Sequence, residues 1–272
     1  MPFFILASSS PRRRELLGSL GIPFTIIKPD IDETQHPGEL PLDYVSRLSR
    51  EKAQAVADHL PHALTPSPSD GERGQKSPSL RSGERFGEGM SIILAADTVV
   101  ILGADTLGVD EHGAILGKPV DADDALDMLQ RLRGRTHQVC TAMTLLYPAP
   151  SVRGERQRDK PIFVFEPSLE FALTMRSMGL GVVTHITTTH VTMRDYSDAE
   201  IDAYIATGDP FDKAGSYAIQ HPVFKPVAKI DGCYTNVVGL PLCTLKNMLA
   251  EIGWPGIQPV EGCDCATSYP GE

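Results

Sequence analysis

The chain has 272 residues, enough for one substantial α/β domain or two smaller lobes around a real core. A formal net charge of −10 argues against general binding to nucleic acid or to an anionic membrane, while leaving room for a local basic pocket. No apolar run approaches the roughly 20 residues that span a bilayer, and the N-terminus lacks the regions of a signal peptide, so a cytoplasmic protein is expected.

In chain order, Phe3 to Ala7 reads as a short buried strand, followed by a Ser-Ser-Ser-Pro turn and an amphipathic helix using Leu16, Leu17 and Leu20. Gly21 stops that helix, and "PFTIIKPDID" reads as a second strand ending in acid. "LPLDYVSRLSREKAQAVADHL" is a helix with Val45, Leu48, Ala53 and Val56 on its inner face. "SIILAADTVVIL" is the most β-rich stretch and predicts a central strand, with a short strand and turn in "AILGKP". "DADDALDMLQRLRG" places acid early and base late, as a helix dipole favours. "THQVCTAMTLLY" and "GVVTHITTTHVTMR" predict paired strands, and "SDAEIDAYIATG" a helix capped by Ser197 or Asp198. The last elements are a strand through "CYTNVVG" and a helix through "PLCTLKNMLAEIG".

Alternating strands and helices without internal repeats indicate an α/β chain. It reads as a single domain over 1–260 with a tail over 261–272. Two insertions interrupt it: a Pro/Gly/Ser-rich segment over 61–91, expected to be disordered, and 148–179, whose "PIFVFEPSLEFALTM" suits a lengthened hairpin folded on the core. Five cysteines suggest reduced thiols rather than a disulfide framework. Cys263 and Cys265 have no second Cys/His pair at zinc spacing.

"LASSSPRRRELL" places three arginines at a helix start, where the macrodipole disfavours cations. An anion there would offset them. Strand, small-residue turn and helix N-terminus present backbone N–H groups to one spot, Ser8, Ser9 and Ser10 add hydroxyls, and Arg12 and Arg13 can fork onto phosphate oxygens. A turn followed by a solvated basic face would look the same. Glu33, after Asp30 and Asp32, and Asp97, at the end of an apolar run, stand where open α/β sheets bind ligands. Carboxylates beside a phosphate site suit a hard divalent cation, Mg²⁺ or Mn²⁺. Lys118 in "LGKP" can reach the same cleft; Lys52 in "REKA" can do so from its helix, although a helix lysine is more often solvated charge. "GDPFDKAGSYAIQ" has the composition of a binding wall, with Lys213 for anions and Gln220 able to read a nucleobase edge.

These stretches, with "DIDE", "AADTVV" and "NVVGLPL", occur in an order that resembles the Maf family of nucleoside triphosphate pyrophosphatases. The resemblance implies a mixed, twisted sheet flanked by helices, with two lobes and a central Maf/ITPase-like cleft. It implies hydrolysis of a nucleoside triphosphate between its α- and β-phosphates, with a divalent metal. By motif position Asp97 matches the proton acceptor, Glu33 and Lys118 match catalytic cleft residues, and Arg12, Thr98 and Gln220 match positions tied to substrate choice. The "DKAG…Q" form resembles the dTTP and UTP branch, while His221-Pro222 after the glutamine departs from the usual glycine. The expected chemistry is attack by water, with Glu33 and Asp97 holding the metal and Asp97 taking the proton. A house-cleaning enzyme for modified nucleotides and a non-catalytic nucleotide-binding regulator of cell division are the rival readings. No nucleic-acid polymer or membrane partner is expected, and a homodimer is compatible with the reading.

Overall fold

A computed structural model describes residues 3–60, 99–148 and 169–261. Residues 61–98, which include the 61–91 insertion, Asp97 and Thr98, lie outside the described residues, as do 149–168 and 262–272 with Cys263 and Cys265. The apolar run β1 (Phe3–Ala7) is parallel to both β2 (Phe24–Ile26) and β3 (Val99–Val109). β4 (Ile115–Leu116) folds back on the end of β3. β5 (Thr136–Pro148), β6 (Leu180–Met193) and β7 (Val227–Asp231) continue the sheet antiparallel. The result is a seven-stranded mixed sheet in the order β2-β1-β3-β5-β6-β7, with β4 on β3.

Helices cover both faces. α1 (Pro11–Gly18) and α7 (Leu242–Glu251) bury Leu17, Leu245, Met248 and Leu249 against Phe4, Leu6, Leu102 and Leu145. α2 (Pro41–His59) packs Ala53, Val56 and Ala57 on Ile5, Ala7, Val99 and Ile101, the opposite face. Its predicted inner residues Val45, Leu48, Ala53 and Val56 are all buried. α3 (Ala122–Leu132) and α5 (Asp198–Ile205) close a further core around Leu129, Val191, Tyr196 and Tyr204. α5 carries a capping box, with Ser197 and Glu200 bonding each other's backbone, so Ser197 is the cap.

Three expectations shift. "CYTNVVG" is not a strand; the last strand is β7, and Tyr234–Val238 forms a short helix, α6. Its alternating apolar residues hide a polar anchor: buried Asn236 donates to the Val139 carbonyl and to Thr189 Oγ1, both at 2.9 Å. The described part of the second insertion is a helix, α4 (Leu169–Ser177), with Met175 buried beside Leu180. β3 runs on to Val109, past the Leu102 at which the predicted strand stops.

β1 ends at Ala7, opposite Gly103, so β3 from Ala104 onward loses its parallel neighbour. The Ser8–Ser10 turn leaves the sheet at that level, and a cleft opens beside the continuing strand. Gly103 decides how close α2 lies. A Cβ there would stand 2.1 Å from the Ser49 carbonyl oxygen and 2.8 Å from the Ala53 nitrogen, so only a hydrogen fits.

Candidate active site

The cleft is a cavity of about 710 Å³ whose walls include Ser8, Arg12, Arg13, Glu33, Lys52, Lys118, Lys213 and Gln220. These predicted residues come from segments throughout the chain, and the fold brings them to one hollow. Asp97 and Thr98 lie outside the described residues. The β3 carboxylate that lines the cavity is Asp105, followed by Thr106.

Sequence reading did not single out Asp105, although a signal for it is present. "IILAADTV" (92–99) and "VILGADTL" (100–107) repeat one pattern, with an Ala-Asp-Thr in each. The copies differ at three positions, one of them two residues before the aspartate, where Ala95 in the first corresponds to Gly103 in the second. Only the second offers the small residue that the close approach of α2 requires.

That approach places Lys52 Nζ 2.6 Å from Asp105 Oδ1 and 2.9 Å from Glu33 Oε1. Lys52 is thus buried, not a solvated helix lysine, and its ammonium bridges the two carboxylates. Glu33 keeps most of its side chain in the open cleft, 58% exposed, whereas Asp105 is 13% exposed. One cation already reaches both groups. Among the described residues no three His, Cys, Asp or Glu side chains form a ready metal cage. Two carboxylates still fit a hard divalent ion if substrate phosphate oxygens and water complete its shell, the usual arrangement for Mg²⁺.

The loop carrying Glu33 is stapled to α2. Tyr44 donates its hydroxyl to the Glu33 carbonyl at 2.7 Å, and Arg47 donates to Glu39 through Nε (2.7 Å) and Nη2 (2.9 Å) and to the Thr34 carbonyl (3.0 Å). The Arg47 hydrogen bonds hold the Glu39 carboxyl down at about 2, below the ordinary 4.5. A depressed carboxyl contributes stability that is complete above its unfolded value and is lost as pH falls through its folded one. Acid scans should therefore show stability draining between about pH 4.5 and 2. In Glu39→Gln, thermal midpoints across that window should flatten; an unchanged slope would remove the staple from the acid response.

The arginines divide their work. Arg13 is buried and donates Nε to the Gly239 carbonyl (2.9 Å), Nη1 to Ser8 Oγ (3.4 Å) and Nη2 to Thr106 Oγ1 (3.0 Å). Burial lowers its pKa from the usual arginine value, with nearby Asp105 opposing. It pins the start of α1 to β3 and to the turn after α6 while lending positive charge to the cleft wall. Arg12 is half-buried, with Nη1 3.6 Å from Asp212 Oδ2. Arg14 is exposed. The turn spends some donors on itself: the Ser10 N–H goes to Ser8 Oγ (3.2 Å) and the Arg13 N–H to Ser10 Oγ (3.4 Å).

On the segment that also lines the cavity, Lys213 Nζ donates to Asp209 Oδ1 (2.9 Å) and Asp212 Oδ1 (2.6 Å). Lys52 and Lys213 are therefore ion-paired within the protein, whereas among the described residues Arg13 bonds only neutral acceptors. Lys118 and Gln220 are exposed on the cavity wall, and among the described residues neither is engaged in an ion pair or hydrogen bond. No described helix is long and apolar enough to cross a membrane. Cys140, Cys233 and Cys243 are buried and form no disulfide with one another.

The family model for Maf-like protein matches residues 3–252. A dTTP/UTP pyrophosphatase of Geotalea uraniireducens is 39% identical over 249 residues, covering 92% of this chain and 94% of that protein. The dTTP/UTP pyrophosphatase of Geobacter sulfurreducens is 36% identical over 249 residues, covering 92% and 96%. That of Anaeromyxobacter dehalogenans strain 2CP-1 is 37% identical over 255 residues, covering 93% and 96%. A match that takes in the turn at Ser8, the Glu33 loop, β3 and the wall through Gln220 places this chain in the Maf-like protein family.

Proposed function

We propose that this protein is a nucleoside triphosphate pyrophosphatase that converts dTTP and UTP to the monophosphate and pyrophosphate. The observation that carries the reading is the Glu33–Lys52–Asp105 array in a cleft that Lys213 and Gln220 also line. A module that only binds nucleotide needs cations for phosphate. It has no use for a carboxylate held beside a buried lysine at the same spot. The names of the relatives supply the substrate pair.

In this reading water attacks the α-phosphorus, the bond from that phosphorus to its bridging oxygen breaks, and pyrophosphate leaves. Asp105 is the proton acceptor, held in place by Lys52 Nζ at 2.6 Å. Lys118, without a partner among the described residues, meets the charge that gathers on the leaving group. Arg13 supplies fixed positive charge behind the Ser8–Ser10 turn. Gln220 faces the base, where an amide can donate and accept at once. Glu33 and Asp105 would hold a divalent cation, which when bound supplies neutralisation of the phosphate charge.

A panel of nucleoside triphosphates assayed with Mg²⁺ or Mn²⁺, with products separated, tests this. Monophosphate and pyrophosphate from dTTP and UTP, in preference to purine triphosphates, are expected. Diphosphate and orthophosphate would place the cut elsewhere. Selective turnover of modified nucleotides would favour the house-cleaning reading.

A further inference from the structure

His137 is on β5, the strand between β3 and β6, and is 2% exposed. Its Nε2 lies 2.8 Å from Tyr217 Oη, and the rings meet edge to face with centroids 5.4 Å apart. Nδ1 is buried without a hydrogen-bond partner. His137 borders the large cleft on one side and, on the other, a cavity of about 60 Å³ that Asp110, Glu111, His112, Arg131 and Arg135 also line. Burial holds the imidazole down at about 4, so the ring is neutral at neutral pH. A buried imidazole with one unmet nitrogen costs stability that an apolar ring of that size would not. Its return is one oriented contact with Tyr217.

Tyr217 belongs to the wall from Lys213 to Gln220, which is not part of the sheet. Two residues of that wall, Gly215 (φ 72°) and Ser216 (φ 61°), are left-handed, an unfavourable state for the serine. The wall is tied down at separate points. The Gly215 N–H donates to the Gly117 carbonyl (2.9 Å), the Ala218 N–H donates to Tyr204 Oη (3.2 Å), and His137 engages Tyr217. His137 is the tie that comes from the middle of the sheet.

We propose that His137 is a positioning residue for base recognition: acting through Tyr217, it fixes the wall that presents Gln220 and so sets the shape of the pyrimidine pocket. The inference rests on the pyrophosphatase reading, and assigns to a buried strand residue a part in substrate choice rather than in phosphate chemistry. A rigid contact of this kind matters because recognition by hydrogen bonds discriminates only while donors and acceptors stay in register with the base.

The test compares His137→Phe, His137→Gln and Tyr217→Phe with the full-length wild type, using dTTP, UTP, CTP and dATP. His137→Phe should raise KM for dTTP and UTP about tenfold with kcat within about threefold, and compress the preference over the other bases. Tyr217→Phe, which removes only the hydroxyl, should reproduce that pattern if the Phe variant fails to fold. His137→Gln, which can still hydrogen-bond Tyr217, should recover part of it. A merely structural role would lower melting temperature and kcat for every nucleotide alike, leaving preferences unchanged, and would overturn the proposal. Dissociation constants for dTMP, UMP, CMP and dAMP separate the two levels. If the wild type releases no pyrophosphate yet the variants change those binding ratios, the reaction falls and the positioning role stands. Unchanged ratios, or no binding by the wild type, overturn it.

Discussion

Asp105→Asn should lower kcat by about 10²–10⁴-fold, the range expected when a positioned proton acceptor is lost, while Asp97→Asn should stay within about twofold of wild type. The two aspartates occupy like places in a repeated pattern, of which the sequence reading took only Asp97. Packing favours the other. To stand where Asp105 stands, Asp97 would have to bring Ala95 to the position of Gly103, where a methyl carbon would lie 2.1 Å from the Ser49 carbonyl oxygen. The copy with glycine is the one α2 can approach, and that approach delivers Lys52 to 2.6 Å from the carboxylate. Asparagine keeps the size and an acceptor oxygen for Lys52 but cannot take a proton at neutral pH, so the thermal midpoint of the variant separates lost chemistry from lost fold. Reversed effects, with Asp97→Asn inactive and Asp105→Asn normal, would sink this assignment and favour the first copy.

Much of the scaffold was legible because its signals are local and periodic. α2 buries the residues its pattern names, β5 and β6 pair from Thr136–Thr192 through Pro148–Leu180, and Ser197 caps α5 through contacts within four residues of chain. The site was legible as a set of segments, since small turns, basic helix starts and polar Gly-bearing loops carry composition signals wherever they fold. What escaped was set by long-range contact. Whether "CYTNVVG" forms a strand or a helix turns on Asn236 reaching Val139 and Thr189, about a hundred and about fifty residues away. Arg13 reads as a phosphate fork until Gly239, 226 positions along the chain, accepts its Nε proton. Lys52 reads as a cleft residue or as solvated helix charge until Gly103, by admitting its helix to the sheet, decides between them. Each of these depends on a partner that no window of the sequence contains.

Gly103→Ala is the second substitution with a large expected effect, because it acts on that admission directly. The backbone of Gly103 is not left-handed, so alanine carries no conformational penalty and the whole effect is steric. The new Cβ would meet a helix carbonyl at 2.1 Å and the nitrogen of Ala53 at 2.8 Å. Both are backbone atoms of α2 and cannot swing aside as a side chain could. The helix must back away by about 1 Å to restore ordinary contact. Overpacking of this kind costs about 1–3 kcal/mol, to be read from the denaturation midpoint. The same retreat carries Lys52 off Asp105 and strains the Tyr44 bond to the Glu33 loop. Since a misplacement of about 1 Å in an active site can cost about 10²-fold, kcat should fall by one to two orders of magnitude, on the scale of that estimate, even at temperatures where the variant is fully folded. Gly18→Ala in α1 is the control: nothing lies within 4 Å of its Cβ, and alanine favours a helix, so stability should hold or rise and turnover should not change. Should Gly103→Ala match wild type in both midpoint and turnover, α2 does not set the distance between lysine and aspartate, and the geometric basis for preferring Asp105 is lost.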